Sequence, residues 1–344
     1  MEAFKMPFRR RPQLLCLLCQ RRSFSTSYRL AEQAQKAATK PSFKKVATPA
    51  AAPAEAPGKF IPEAPLENAP RGYGPRVEKF TPVPLPRPIG MPYPPEPGQH
   101  TGLDNRSIRQ RRDDFVNWDK HLARREELKT QFRKPYFRDW SNLELHKGKT
   151  FIAPPRPFKG DLSLWFPNMH GTTLLKTDRS PRDTTPVMQG KVTVVSLFSG
   201  QWAEGQAKSF ASAESNPELL SLLDANKGKA QHVRINVEED RLKAFLIKLF
   251  MGNLRKTVGE ENWDKYFVVR RGVSEEVREG IGMLNSKVGY VYLLDSECRI
   301  RWAGSGYAED HERTGLVKGL QRLLDEEKGP KRPKAPAATA AQTA

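Results

Sequence analysis

Prolines divide this chain into two kinds of sequence. Between Pro217 and Pro330 there is none, so strands and helices can run there without losing a backbone donor. Most of the 29 prolines lie earlier, in runs such as Pro82-Val83-Pro84-Leu85-Pro86-Arg87-Pro88 and Pro92-Tyr93-Pro94-Pro95. Charge follows the same division. From Lys191 to Lys328 there are 21 lysines and arginines against 21 acids, so the net charge of +19 belongs to the flanks. With only 38% hydrophobic residues and a mean hydropathy of -0.66, the 344 residues predict one folded domain carrying extended segments.

Residues 1–24 have the composition of a mitochondrial transit peptide. No acid occurs between Glu2 and Glu32, while Arg9, Arg10, Arg11, Arg21 and Arg22 flank Leu14, Leu15, Leu17 and Leu18. Arg22-Ser23-Phe24 followed by Ser25 matches a matrix-processing pattern, which places cleavage between Phe24 and Ser25. Cys16 and Cys19 would be removed with this leader, leaving Cys298 alone. Cys298 sits in the turn Leu294-Asp295-Ser296-Glu297-Cys298-Arg299 and is read as an unreactive surface residue. No apolar run is long enough to span a bilayer.

Residues 25–103 are expected to form a disordered Pro/Ala-rich tether. Residues 104–134 predict one basic helix, with Ile108, Phe115, Trp118, Leu122, Leu128 and Phe132 on one face among Arg109, Arg111, Arg112, Arg124, Arg125 and Lys129. Phe115, Trp118 and Leu122 are the candidate contacts of that face. Three placements compete: an anionic membrane surface, a partner protein, or the chain's own domain, which is the default. Residues 135–190 are irregular and rich in aromatics beside prolines. Phe158, Trp165, Phe166, Pro167 and Asn168 are candidate client-binding residues here, with packing on the following domain as the competing reading.

Residues 191–328 read as an α/β domain, and residues 329–344 as a disordered tail. Val192–Phe198 is a buried strand, Gln201 onward a helix, and Asn216-Pro217 an N-cap pair opening a helix over Leu219 and Leu223. Gln231–Val237 alternates as a strand, and Leu242, Phe245, Leu246, Leu249 and Phe250 predict the buried face of a further helix. Val288–Leu294 and Arg299–Trp302 form a hairpin, and Leu316, Leu320, Leu323 and Leu324 mark a last helix. This order is thioredoxin-like, and the hairpin resembles that of peroxiredoxin-type members of the fold.

Thiol chemistry in such a fold requires a cysteine at the start of the helix after the first strand. Here the turn reads Ser199-Gly200-Gln201-Trp202, and no proline precedes the hairpin in the position the redox members use. The six histidines show no metal-ligand spacing, His232 reads as a packed strand residue, and no Gly-rich phosphate loop is present. The expectation is therefore no enzyme, no cofactor and no small-molecule substrate.

Phe151-Ile152-Ala153-Pro154-Pro155, Leu164-Trp165-Phe166-Pro167-Asn168, Gly171-Thr172-Thr173-Leu174, the Val194–Phe198 strand and Arg301-Trp302-Ala303-Gly304-Ser305-Gly306 together resemble the fungal mitochondrial ATP synthase assembly factors of the ATP ten family, from about Phe132 to Glu327. The resemblance implies a peripheral protein on the matrix side of the inner membrane. It also implies a chaperone that helps proton-channel subunit a of the Fo sector join the c ring, with no catalytic residues. A mitochondrial ribosomal or RNA-binding protein is the alternative that the pI near 9.9 invites, but the neutral core opposes it, and no nucleic acid is expected. A peroxiredoxin-like redox protein is the other alternative, and it lacks its nucleophile.

Overall fold

Val192–Phe198, a run of β-branched and large apolar residues, is buried along its whole length and is an interior strand of a seven-stranded sheet. The strands are β1 (His170–Thr173), β2 (Arg182–Asp183), β3 (Val192–Phe198), β4 (Ala230–Val237), β5 (Tyr266–Val269), β6 (Tyr290–Leu294) and β7 (Ile300–Ser305), in the order β2-β1-β5-β4-β3-β6-β7. β3, β4 and β5 are parallel to their neighbours in that set; β6 is antiparallel to β3, and β7 to β6. The unit β4-β3-β6-β7, with a helical crossover between β3 and β4 and a helix after β7, is the thioredoxin-like topology expected from the sequence.

This computed structural model describes residues 66–329, except 75, 105, 134, 136, 178–179, 239–246 and 248. They belong to the unit Ile61–Ala344, and the unit Met1–Phe60 lies outside them. Also outside are the leader with Cys16, Cys19, Phe24 and Ser25, the side chain of Phe132, the helix positions Leu242, Phe245 and Leu246, and the tail from Pro330. The described helices are α1 (Ile108–Val116), α2 (Trp118–Arg133), α3 (Arg138–Ser141), α4 (Thr185–Met188), α5 (Gln201–Ala211), α6 (Pro217–Ala225), α7 (Met251–Val258), α8 (Glu275–Gly280) and α9 (Asp310–Lys328).

One sheet face, bearing Val192, Val194, Phe198, Leu293 and Trp302, packs on Phe210 of α5, Leu219 and Leu223 of α6, and Leu316, Leu320 and Leu323 of α9. The Asn216 side chain accepts from Leu219 N at 3.3 Å, capping α6 ahead of Pro217 as the sequence predicts. The opposite face, with Val195, Leu197, Tyr290 and Tyr292, is covered by α8 and by extended chain rather than by long helices. Leu66, Leu85 and Ile89, which fall inside the expected disordered tether, are buried in that second core. Pro84 bridges Ile152, and Met91 exchanges backbone hydrogen bonds with Trp165 at 2.7 and 3.0 Å. The tether reading therefore fails for this stretch. Proline carries no donor to satisfy, so an extended Pro-rich chain can cross a buried face while its few large apolar residues fill it.

The aromatic segment before β1 closes the sheet's other edge. Phe158 N donates to Arg301 O, Ile300 N to Leu164 O and Phe166 N to Cys298 O, all at 2.7 to 2.8 Å, so β7 has no free edge along this length. A buried ion pair secures the same region: Lys149 Nζ lies 2.6 Å from Glu312 Oε2 of α9, while Glu312 Oε1 accepts from Ala153 N at 2.8 Å.

Four further expectations are corrected. The single helix over 104–134 is two helices, because Asn117 takes extended backbone (φ -70, ψ 113) and its side chain accepts from Lys120 N, capping α2. Neither Phe115 nor Trp118 packs on the domain, at 72% and 68% exposure, so the default placement of this face fails. Leu249 and Phe250 are exposed rather than buried; the apolar residues that meet the core here are Ile247, Met251, Leu254 and Val258. Cys298 is buried, since the segment Leu164–Phe166 covers the hairpin turn that holds it.

Burial, and then the charge of Asp295, pushes the Cys298 thiol up to about 12. The thiolate is the reactive form, so maleimide at pH 8 is expected to leave Cys298 unmodified in the native protein and to modify it after unfolding. Mass spectrometry of the peptide containing Cys298 checks this; rapid native labelling would contradict it.

Candidate functional site

The start of α5 is where this topology places a reactive group, and the chain puts Ser199-Gly200-Gln201-Trp202 there. Gly200, with φ 86, makes the turn from β3 into the helix. The turn is held by polar contacts. Ser199 Oγ donates to Ser286 O, and Ser286 Oγ donates to Asp139 Oδ2 of α3 at 2.6 Å. Buried Gln206, one turn into α5, donates to Lys147 O at 2.9 Å and accepts from Gly289 N at 2.8 Å. Gly289 can approach this closely because a Cβ there would sit 2.2 Å from Ala203 O.

Around this held turn lies an exposed surface of aromatic rings and cations. Trp202, half exposed, meets Tyr307 edge-on at 5.8 Å between ring centroids. Lys147 Nζ stands 5.9 Å from the Tyr307 ring, and Lys287 Nζ stands 5.8 Å from the exposed Trp140 ring. His146, Lys147 and Gly148 all have positive φ (50, 55 and 83), which is costly for the first two and is sustained by the Gln206 contact. The turn holds no cysteine, and the surface around it presents aromatic area and positive charge.

The sequence-predicted site residues lie elsewhere. Phe166 is fully buried and meets Tyr292 at 5.5 Å; Pro167 is buried beside it; Phe158 and Trp165 are half-buried along the β7 edge. Asn168 is a structural hub. Its Oδ1 accepts from Thr185 N and Oγ1, and its Nδ2 donates to Gln99 O and Asp183 Oδ1. Burial alone would raise the Asp183 pKa, but the hydrogen bonds from Asn168, His170 and Gly98 N outweigh it and hold the carboxyl low. In this conformation Phe166, Pro167 and Asn168 serve the fold and present no surface to a client. Phe115, Trp118 and Leu122 stay on the exposed α1–α2 pair, where His121 lies 5.4 Å from the Phe115 ring and 6.1 Å from the Trp118 ring. Tyr307, Trp140, Lys147 and Lys287 were not singled out by sequence. Among the described residues, no group of three His, Cys, Asp or Glu is placed to hold a metal, and no helix is long and apolar enough to cross a membrane.

Fold and site together define a thioredoxin-like domain whose helix start carries an aromatic and cationic surface in place of a thiol. Residues 74–323 match the model of the family described as ATP10 protein, and the chain belongs to that family. Among its relatives, the "Mitochondrial ATPase complex subunit ATP10" of Eremothecium gossypii is 31% identical over 242 residues, covering 69% of this chain and 85% of the relative. The protein of the same description from Saccharomyces cerevisiae is 29% identical over 248 residues, covering 70% and 86%. Similar solved structures include a secreted thiol-disulfide isomerase from Corynebacterium glutamicum (TM-score 0.35, 13% identity, 52% of this chain and 99% of that one). Another is a thiol:disulfide interchange protein DsbE from Chlorobium tepidum, described there as putative (TM-score 0.31, 13% identity, 47% and 96%).

Proposed function

We propose that this protein acts in the assembly of the mitochondrial ATP synthase, binding a membrane subunit through the surface around Trp202 rather than catalysing a reaction. The observation that carries the reading is the replacement of a thiol at the start of α5 by exposed Trp202 and Tyr307 with Lys147 beside them. The names of the relatives support the ATP synthase as the setting. A buried Cys298, far from its reactive form, supports binding over redox chemistry. The client in this proposal is proton-channel subunit a of the Fo sector, held until it joins the c ring. The test is affinity capture from solubilised mitochondria after pulse-labelling of newly made membrane subunits. Trp202→Ala with Tyr307→Ala is expected to weaken capture at least tenfold while the melting temperature stays near that of the parent, since both rings are partly exposed. Undiminished capture would remove this surface from the account.

The location in this proposal is the matrix face of the inner membrane. α1 and α2 expose Phe115, Val116 and Trp118 beside Arg109, Arg111, Arg112, Arg124 and Arg125, which suits an anionic lipid surface. The protein is expected to float with phosphatidylcholine vesicles that contain an anionic lipid, and Phe115→Ala with Trp118→Ala is expected to leave it in solution. Equal binding to neutral vesicles, or no effect of the double substitution, would contradict this contact.

A further inference from the structure

β4 turns an unusual set of residues toward the helices. Ala230, His232, Arg234 and Asn236 alternate onto the face that packs under α5 and α6, where Val233, Ile235 and Val237 take the other face. Opposite them α5 presents Ala207 and Ala211, too small to fill the space, and a cavity of about 190 Å³ remains. Its polar lining is Ser196, His232 and Arg234 from the sheet, with Glu204, Lys208 and Ser212 from the helix side. Ser196 Oγ and His232 Nε2 are 2.8 Å apart. Lys208 Nζ and Glu204 Oε1 pair at 2.8 Å. Arg234, half-buried, has no side-chain hydrogen bond or ion pair among the described residues.

A guanidinium drawn into a cleft without a carboxylate partner carries a desolvation cost that no ion pair among the described residues offsets. We propose that this cavity binds a single tetrahedral oxyanion of the phosphate class, held by the Arg234 guanidinium and the Ser196 hydroxyl. Arg234 is the residue type suited to bidentate contact with such a group. With Nε2 protonated, His232 donates to Ser196 Oγ and leaves the hydroxyl hydrogen for the anion. The charged groups facing the cavity are Arg234, Lys208 and Glu204, so one positive charge is in excess, and Lys208 in the last turn of α5 also offsets the carbonyl end of that helix. The volume accommodates a phosphate with a few waters. Burial, and then the charge of Arg234, lowers the His232 pKa to about 3, so the imidazole is neutral at physiological pH and reports on any negative charge placed beside it. The inference is independent of the assembly role.

The test is NMR of the His232 ring in the full chain, titrated with inorganic phosphate and, in a second arm, with glycerol 3-phosphate, each against chloride at matched ionic strength. A saturable shift of the His232 resonances is expected, with affinity lowered at least tenfold in Arg234→Gln and lowered less in Arg234→Lys. Tighter binding of glycerol 3-phosphate identifies a phosphomonoester as the ligand, and tighter binding of phosphate identifies the free ion. No saturable shift in the parent protein, or an equal shift in folded Arg234→Gln, overturns the proposal; the parent titration decides even if a variant does not fold.

Discussion

Glu312→Ala is expected to lower the unfolding free energy by about 3 kcal/mol or more, the usual cost of removing one partner from a buried ion pair. Glu312 is fully enclosed and has three attachments: Lys149 Nζ at 2.6 Å, Ala153 N at 2.8 Å and Glu309 N at 2.9 Å. The last of these belongs to the capping box that starts α9, so the substitution also frays the helix whose leucines fill one core. Glu312→Gln retains an acceptor for Ala153 but removes the charge opposing Lys149, and is expected to fall between parent and alanine. Lys149→Met with Glu312→Leu is expected to recover part of the loss, because neither charge then remains buried. Urea denaturation of the four proteins measures the series. A Glu312→Ala variant within 1 kcal/mol of the parent would show that the segment 149–153 is not anchored through this carboxylate.

Phe166→Ala is expected to cost about 3 to 5 kcal/mol, the range for removing a fully buried aromatic ring. Phe166 meets Tyr292 of β6 in the core covered by the Pro-rich chain, so the cavity would open between the sheet and its cover. Trp165→Ala should cost less, since that ring is half-buried. Thermal unfolding separates the two single variants. Client capture should fall in Phe166→Ala only in proportion to protein abundance. An unchanged melting temperature with lost capture would restore Phe166 as a client contact and contradict its role in the core.

The elements with strong local signals were legible in the sequence. β3 is an uninterrupted apolar run, Asn216-Pro217 announces α6, the apolar stretches around the Leu294–Arg299 turn announce the β6–β7 hairpin, and the heptad-like leucines announce α9. β1 and β5 were not recognised. Each has four residues, and β1 consists of His-Gly-Thr-Thr, whose strand character comes from pairing with β5 rather than from its composition. Residues 66–91 were misread for a related reason: the five buried apolar residues Leu66, Ala69, Leu85, Ile89 and Met91, spread among many prolines, give no periodicity, and only the surface they cover makes sense of them. At the candidate site, the sequence identified the Ser199–Trp202 turn and its missing cysteine. It could not assemble Trp140, Lys147, Lys287 and Tyr307 around that turn, because these residues come from distant segments joined by Gln206, Ser286 and Asp139.

In the proposed function the surface at the start of α5 holds a newly made subunit of the ATP synthase. The most direct measurement places a photo-crosslinking residue at position 202, and in a parallel protein at exposed Leu162, and irradiates mitochondria just after pulse-labelling of their membrane subunits. A labelled adduct that contains proton-channel subunit a is expected from position 202, and little or none from position 162. Adducts of equal yield from both positions, or an adduct from position 202 that contains no ATP synthase subunit, would contradict it.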